Sequence, residues 1–152
     1  MREEIVVASA LIRNTAGLIL VFKSEGGFAA MPGGSSELGE TPEETAVRES
    51  SEETGLSVSI EKLAALYNLI VLNLDGTEKC RFLHYLLLAS TTDTSPQPGS
   101  EWQNWGPTRR WIKLEDLRLY RGVWPLPEQV KGQIAHGNLN LGNLGELKYQ
   151  MN

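Results

Sequence analysis

Glutamates are concentrated in one short segment of the chain, residues 34–56, which reads GSSELGETPEETAVRESSEETGL and holds a single arginine, Arg48. Carboxylate oxygens are hard ligands, and Mg²⁺ or Mn²⁺ binds to a few of them together with the phosphate oxygens of a substrate. The segment therefore favours a divalent-cation site for phosphate chemistry. A solvated acidic helix face is the alternative that its composition alone leaves open.

The two ends of this segment predict a helix that brings the acids together. Thr41 is a capping residue, Pro42 suits the first helical position, and a glutamate three residues after Thr41 completes a capping box. Gly55 supplies a left-handed stop. At about 100° per residue, three carboxylates converge on one face of this helix. They are Glu49, Glu52 and Glu53.

The polar pattern of the segment resembles the Nudix box of hydrolases that act on a nucleoside diphosphate linked to another group. Its specified positions are occupied by Gly34, Glu40 and the run Arg48-Glu49-x-x-Glu52-Glu53-x-Gly55-Leu56. Ser50 is the one departure, because the family pattern has a bulky aliphatic residue there. A serine at this position is able to bond back to a helix carbonyl.

This resemblance implies a fold and a set of residue roles. The Nudix fold is of the α/β (α+β) class, with a mixed β-sheet sandwiched between helices. Arg48 is expected to orient the carboxylates through hydrogen bonds, and the turn at Gly33 and Gly34 to let the backbone approach the substrate closely. The implied ligands of Mg²⁺ or Mn²⁺ are Glu49, Glu52 and Glu53, with Glu40 as an outer-shell or auxiliary ligand.

The general base stays open between two acids. Relatives use either a helix glutamate or an acid on a distant loop, so we rank Glu49 first and Glu101 second. Three aromatic residues are candidates for stacking on a nucleobase, because every base offers a flat face. They are Phe28, Trp102 and Trp105. Packing in a core or an interface is the alternative for each of them.

The rest of the sequence predicts one domain over residues 1–152, since 152 residues with 41% hydrophobic content suffice for one core. Turn signals predict two hairpins, one over residues 5–22 and one over residues 63–89. Residues 90–110 read as a long loop. A helix is expected over Glu128 to Ala135, and residues 138–152 as a tail or partner contact, because Gly and Asn weaken them as a strand.

Composition also limits the location and the partners. A single cysteine, Cys80, and the lack of a secretory signal or a long apolar run fit a cytoplasmic protein without a membrane partner. The formal net charge of −5 argues against a nucleic-acid polymer as a partner. We interpret both histidines as structural. Monomer and homodimer both stay open.

The resemblance implies cleavage of a phosphoanhydride bond by water that a divalent cation activates. A nucleoside triphosphate, including oxidised forms, is the favoured substrate. ADP-ribose or a nucleotide sugar is the next alternative. A Nudix-fold module that senses a nucleotide without hydrolysing it is the third.

Overall fold

The computed structural model of the protein describes residues 4–23, 28–92 and 108–150. Glu101, Trp102 and Trp105 lie outside these residues, so the predictions about them stay predictions. The strands are β1 (Val6–Arg13), β2 (Ile19–Lys23), β3 (Ala29–Ala30), β4 (Gly33–Ser35), β5 (Ser59–Leu72), β6 (Glu78–Ser90), β7 (Thr108–Ile112), β8 (Val123–Trp124) and β9 (Gly142–Gln150). The helices are α1 (Pro42–Thr54), a 3₁₀ helix (Leu114–Leu119) and α2 (Glu128–Ala135).

The strands of the described residues form one sheet in the order β8-β3-β2-β1-β6-β5-β9, with β4 paired to β1 and β7 paired to β2. The pairs β1·β6, β3·β8 and β5·β9 are parallel. The other pairs are antiparallel, including the two hairpins β1·β2 and β5·β6 that the turn signals predicted. This mixed sheet confirms the predicted fold class.

Apolar side chains pack on both faces of the sheet. One buried cluster includes Leu20 and Leu87 of the sheet together with Ala46 of α1. The cluster on the other face includes Val130 and Ile134 of α2. Strands covered on both sides need apolar residues at consecutive positions, which is the pattern that the sequence shows. No helix among the described residues has the length and apolar character needed to cross a membrane.

The closing segment differs from the expected tail or partner contact. Residues Gly142–Gln150 form β9, which pairs in parallel with β5 along residues 65–72. Gly142 and Gly145 have φ angles of 70° and 68°, so the glycines that weaken the strand on local grounds supply backbone bends that other residues rarely adopt. Leu147 is buried against the core. The tertiary contact with β5 therefore outweighs the weak local preference.

The segment predicted as a loop, residues 90–110, is strand at both of its ends, and residues 93–107 lie outside the described residues. Strand β6 continues through Ser90, and β7 already begins at Thr108. Strand β7 pairs with β2, and its Trp111 packs with the buried cluster that includes Ala46 of α1.

Candidate metal and phosphate site

Helix α1 has the ends that its sequence predicted. The Thr41 hydroxyl accepts from the backbone N–H of Glu44 at 3.1 Å, and the Glu44 carboxylate accepts from the backbone N–H of Thr41 at 3.0 Å. Gly55 ends the helix with a φ of 72°. The capping box and the left-handed stop are therefore confirmed, and they fix which helix positions face the sheet.

The second half of α1 turns two of its acids inward. Glu53 is fully buried and Glu49 is 8% exposed. The Glu53 Oε1 accepts a hydrogen bond from the backbone N–H of Gly33 at 3.0 Å. Because Gly33 and Gly34 belong to β4, which pairs with β1, the sheet holds the backbone that receives the helix carboxylates.

Arg48 ties the loop before α1 to the helix carboxylates. Its Nε and one Nη2 hydrogen bind both carboxylate oxygens of Glu40, at 2.8 and 3.0 Å. Its Nη1 donates to Glu49 at 3.0 Å and to Glu52 at 3.2 Å, and Nη2 also donates to the Ser35 carbonyl at 3.1 Å. A guanidinium has five N–H donors. Five acceptors of the protein therefore use its full donor capacity.

Glu40 is held as an anion that positions Arg48. The Arg48 guanidinium, the Thr45 hydroxyl and the backbone N–H of Glu37 together lower the pKa of Glu40 to about 2. In turn, the hydrogen bonds that Arg48 donates to Glu40 raise the pKa of Arg48 above its ordinary value. Both oxygens of Glu40 accept from Arg48, so this acid orients the arginine. Its role as an outer-shell or auxiliary metal ligand stays a prediction.

The two glycines of β4 are in close contact with different partners. A Cβ atom on Gly34 would lie 2.5 Å from Oε1 and 2.7 Å from Cδ of Glu49. A Cβ atom on Gly33 would lie 2.5 Å from the Ser9 hydroxyl and 2.6 Å from the Ala8 carbonyl oxygen. Gly34 therefore makes room for a helix carboxylate, and Gly33 makes room for the backbone of β1.

The convergence of three carboxylates that the helix spacing predicted is not present as a ligand set. Within residues 4–23, 28–92 and 108–150, no group of three or more His, Cys, Asp or Glu side chains is arranged to hold a metal ion. Glu49 and Glu52 share one nitrogen of Arg48, whereas Glu53 turns to Gly33. The acids fit Mg²⁺ or Mn²⁺ by their oxygen chemistry, while Arg48 compensates their charge in this arrangement.

Strand β7 brings a second guanidinium to this side of the sheet. Arg109 pairs with Phe22 of β2, and its guanidinium carbon lies 4.9 Å from the centre of the Phe22 ring. Burial lowers the pKa of Arg109, and the nearby charge of Glu53 opposes that shift. The sequence interpretation missed Arg109 because it assigned residues 90–110 to a loop. The available signal was the period-two spacing of Arg109 and Trp111.

His84 of β6 contacts strand β1 close to Gly33. Its ring is fully buried, and Nε2 lies 2.9 Å from the hydroxyl of Ser9, the residue against which Gly33 packs. Burial lowers the pKa of His84 to about 3, so the imidazole is neutral at physiological pH. A neutral, packed ring agrees with the structural interpretation of this histidine.

Phe28 lies just before β3, and the Arg121 guanidinium covers its ring at 4.5 Å. A cavity of about 220 Å³ adjoins this pair, and Gly122 and Tyr149 also line it. The structure thus gives Phe28 a cationic neighbour. Its stacking on a nucleobase stays a prediction.

Ser50 does not form the bond to a helix carbonyl that the sequence allowed. Its side chain is fully buried in α1, and its hydroxyl has no hydrogen-bond partner among the described residues. A buried hydroxyl without a partner destabilises a fold because it has lost its hydrogen bonds to water.

We therefore expect Ser50→Ala to raise the free energy of unfolding by about 1 kcal/mol, measured by urea denaturation. Ser51→Ala is the matched control, since Ser51 is exposed on the same helix and reports only the difference in helix propensity. If Ser50→Ala is less stable than Ser51→Ala, the hydroxyl of Ser50 has a stabilising partner and our interpretation is wrong.

Comparison with known proteins identifies the family. The NUDIX domain model matches residues 4–132 of this chain. The chain belongs to the Nudix family. The matched region contains the whole of α1, both glycines of β4 and Arg109, so the site described above lies within the family's domain.

One curated relative shows how far the sequence similarity of this Nudix protein extends. Over 105 residues it is 34% identical to a Mycobacterium tuberculosis protein named "Putative 8-oxo-dGTP diphosphatase 3", which covers 67% of this chain and 46% of that protein. The chain thus spans about half the length of this curated relative.

Two solved structures share the fold. The MutT protein of Bacillus halodurans has a TM-score of 0.70 at 21% identity, covering 96% of this chain and 90% of that one. An ADP-ribose pyrophosphatase of Streptococcus suis has a TM-score of 0.62 at 15% identity, covering 95% and 98%. The name of the Streptococcus suis protein states a substrate and that of the Bacillus halodurans protein states none, so the shared fold leaves the substrate of this chain undecided.

Proposed function

We propose that this Nudix protein is a divalent-metal-dependent hydrolase of nucleoside triphosphates, oxidised forms included. The observation that carries the proposal is the Arg48 network, which binds Glu49 and Glu52 on the same helix that carries the buried Glu53. A solvated acidic face would leave these acids exposed and independent, whereas two of them are buried and one arginine orients the group. The name of the Mycobacterium tuberculosis relative supports an oxidised nucleotide as the first substrate to test.

Glu49, Glu52 and Glu53 would hold the cation, and Glu40 would keep Arg48 in place. When bound, Mg²⁺ or Mn²⁺ would neutralise phosphate charge and make the attacking water more acidic. The protein would supply hard oxygen ligands from one rigid helix, and Arg48 and the Gly33 amide would limit the movement of these ligands.

In the proposed reaction the oxygen of one water forms a bond to a phosphorus atom, and the bond from that phosphorus to the bridging oxygen breaks. The bridging oxygen leaves with the departing phosphate group, so a nucleoside triphosphate gives a monophosphate and pyrophosphate. A carboxylate takes the proton of the water. Glu49 is the first choice for this base, and Glu101, which lies outside the described residues, is the second.

A substrate panel tests the proposed function. The full chain is incubated with dGTP, 8-oxo-dGTP, ADP-ribose and a nucleotide sugar, with Mg²⁺, with Mn²⁺ and with a chelator, and the nucleoside monophosphate released is quantified. We expect hydrolysis of a triphosphate with either cation and none with the chelator. Preferred hydrolysis of ADP-ribose would replace the substrate assignment. Tight binding of a nucleotide without turnover in any cation would instead show a sensor.

A further inference from the structure

We propose that Arg109 binds the phosphate oxygens of the substrate from the sheet, opposite the carboxylates of α1. The inference rests on the proposed function for the choice of a phosphate ligand. It concerns a residue outside residues 34–56, and it follows from the donor count of Arg48, the register of β7 and the charge balance at the site.

Arg48 has no donor to offer to a substrate. Its five N–H groups meet acceptors on Glu40, Glu49, Glu52 and Ser35. Withdrawing one of them to bind phosphate would break a charge-assisted hydrogen bond within the site. Arg48 is therefore a positioning residue, and a guanidinium contact to the phosphates would come from a different arginine.

Arg109 lies on the sheet face that α1 covers. Side chains of directly paired residues in antiparallel strands point to the same face. Trp111 is paired with Leu20, and both pack with the buried cluster that includes Ala46 of α1. Arg109 lies two residues before Trp111 on β7, so it points to that face as well.

The side chain of Arg109 packs on an aromatic ring near one of the helix acids. Its guanidinium lies over the Phe22 ring at 4.9 Å, and its charge interacts with that of the buried Glu53. An aromatic ring contacts the flat face of a guanidinium, whereas the N–H bonds point outward in the guanidinium plane. A side chain held in this way is suited to present its N–H edge to phosphate oxygens.

The charge balance favours the same role. Glu49, Glu52 and Glu53 carry three negative charges when ionised. Arg48 is shared between Glu49, Glu52 and Glu40 and does not contact Glu53 within the described hydrogen bonds. A bound diphosphate group adds further negative charge that one divalent cation does not neutralise. A second arginine, on the sheet side of the site, would lower the electrostatic repulsion between the phosphates of the substrate and the carboxylates of α1.

A simpler role would be that Arg109 only neutralises Glu53. The two roles differ in what a charge-removing change does to metal affinity. If Arg109 competes with the cation for Glu53, its removal tightens Mn²⁺ binding and leaves phosphate binding unchanged. If Arg109 binds phosphate, its removal weakens the binding of phosphate ligands in the presence of the metal.

The test compares Arg109→Gln and Arg109→Lys with the matched control Arg110→Gln. Arg110 is the exposed neighbour on β7 and pairs with Val21, whose side chain lies in the core on the other face of the sheet. Each full-length variant is titrated by calorimetry with Mn²⁺ alone, then with inorganic pyrophosphate and with a dGTP analogue carrying methylene bridges, both in Mg²⁺. KM and kcat are measured on the best substrate of the panel, and urea denaturation checks the fold.

We expect Arg109→Gln to raise KM and the dissociation constants of both phosphate ligands by about 10- to 100-fold, with kcat changed much less, because the contact exists in both ground and transition states. Arg109→Lys should recover part of the loss, and Arg110→Gln should match the wild type. Unchanged phosphate binding in Arg109→Gln, or an equal loss in Arg110→Gln, would overturn the proposal. A wild type that binds pyrophosphate but hydrolyses no nucleotide would refute the proposed function alone.

Discussion

Replacing Glu53 with glutamine should lower kcat/KM by at least about 100-fold, which corresponds to a loss of about 2.7 kcal/mol of transition-state stabilisation. Glu53 is fully buried, and its Oε1 accepts from the Gly33 amide at 3.0 Å. The amide oxygen of glutamine can keep this bond, while the change removes the negative charge and replaces the other carboxylate oxygen with an NH₂ donor. Steady-state hydrolysis of a triphosphate with Mg²⁺ measures the effect.

The same variant should keep or raise the stability of the fold, because burying a carboxylate costs more free energy than burying an amide. Glu43→Gln is the matched control, since Glu43 is exposed in the first turn of the same helix. The control should keep its activity and its affinity for Mn²⁺. Full activity in Glu53→Gln, together with unchanged Mn²⁺ binding, would remove Glu53 from the metal site.

Features of α1 that depend on neighbouring residues could be predicted from the sequence. Thr41, Pro42 and Gly55 act within a few positions of themselves, and each has the backbone role that its residue type indicates. The hairpins β1·β2 and β5·β6 were accessible for the same reason, because a short turn joins each pair. Local signals therefore gave the position of the acidic helix and two of the strand pairings.

Features that depend on distant residues could not be predicted. Strand β9 exists through its parallel pairing with β5, whose paired residues lie 77 or 78 positions earlier in the chain, and no local preference encodes that partner. Arg109 reaches the site through the pairing of β7 with β2. The pattern of residue types identified the acids, but the contacts of Arg48 that keep Glu49 and Glu52 apart from Glu53 required the folded structure.

Adding one methyl group to Gly34 should reduce activity strongly and stability little. The new Cβ would lie 2.5 Å from Oε1 and 3.1 Å from Oε2 of Glu49, which is too close for either atom to stay in place. The end of a glutamate side chain can move without disturbing the backbone. We expect Gly34→Ala to lower kcat/KM by about 10- to 100-fold and the free energy of unfolding by less than about 1 kcal/mol.

Gly33→Ala is the matched variant, in which we expect a larger loss of stability than in Gly34→Ala. Its Cβ would meet the Ala8 carbonyl oxygen at 2.6 Å and the Ser9 Cα at 2.7 Å, and these backbone atoms belong to the central strand β1. Relieving the contact requires a shift of the β4·β1 pairing, so we expect a loss of about 1–3 kcal/mol in urea denaturation. Since neither glycine has a positive φ, steric contact is the difference between the two variants. An equal loss of stability in the two variants would show that the Glu49 side chain yields as little as the backbone of β1. The added Cβ at position 34 would then disturb the fold and not only the position of the Glu49 carboxylate.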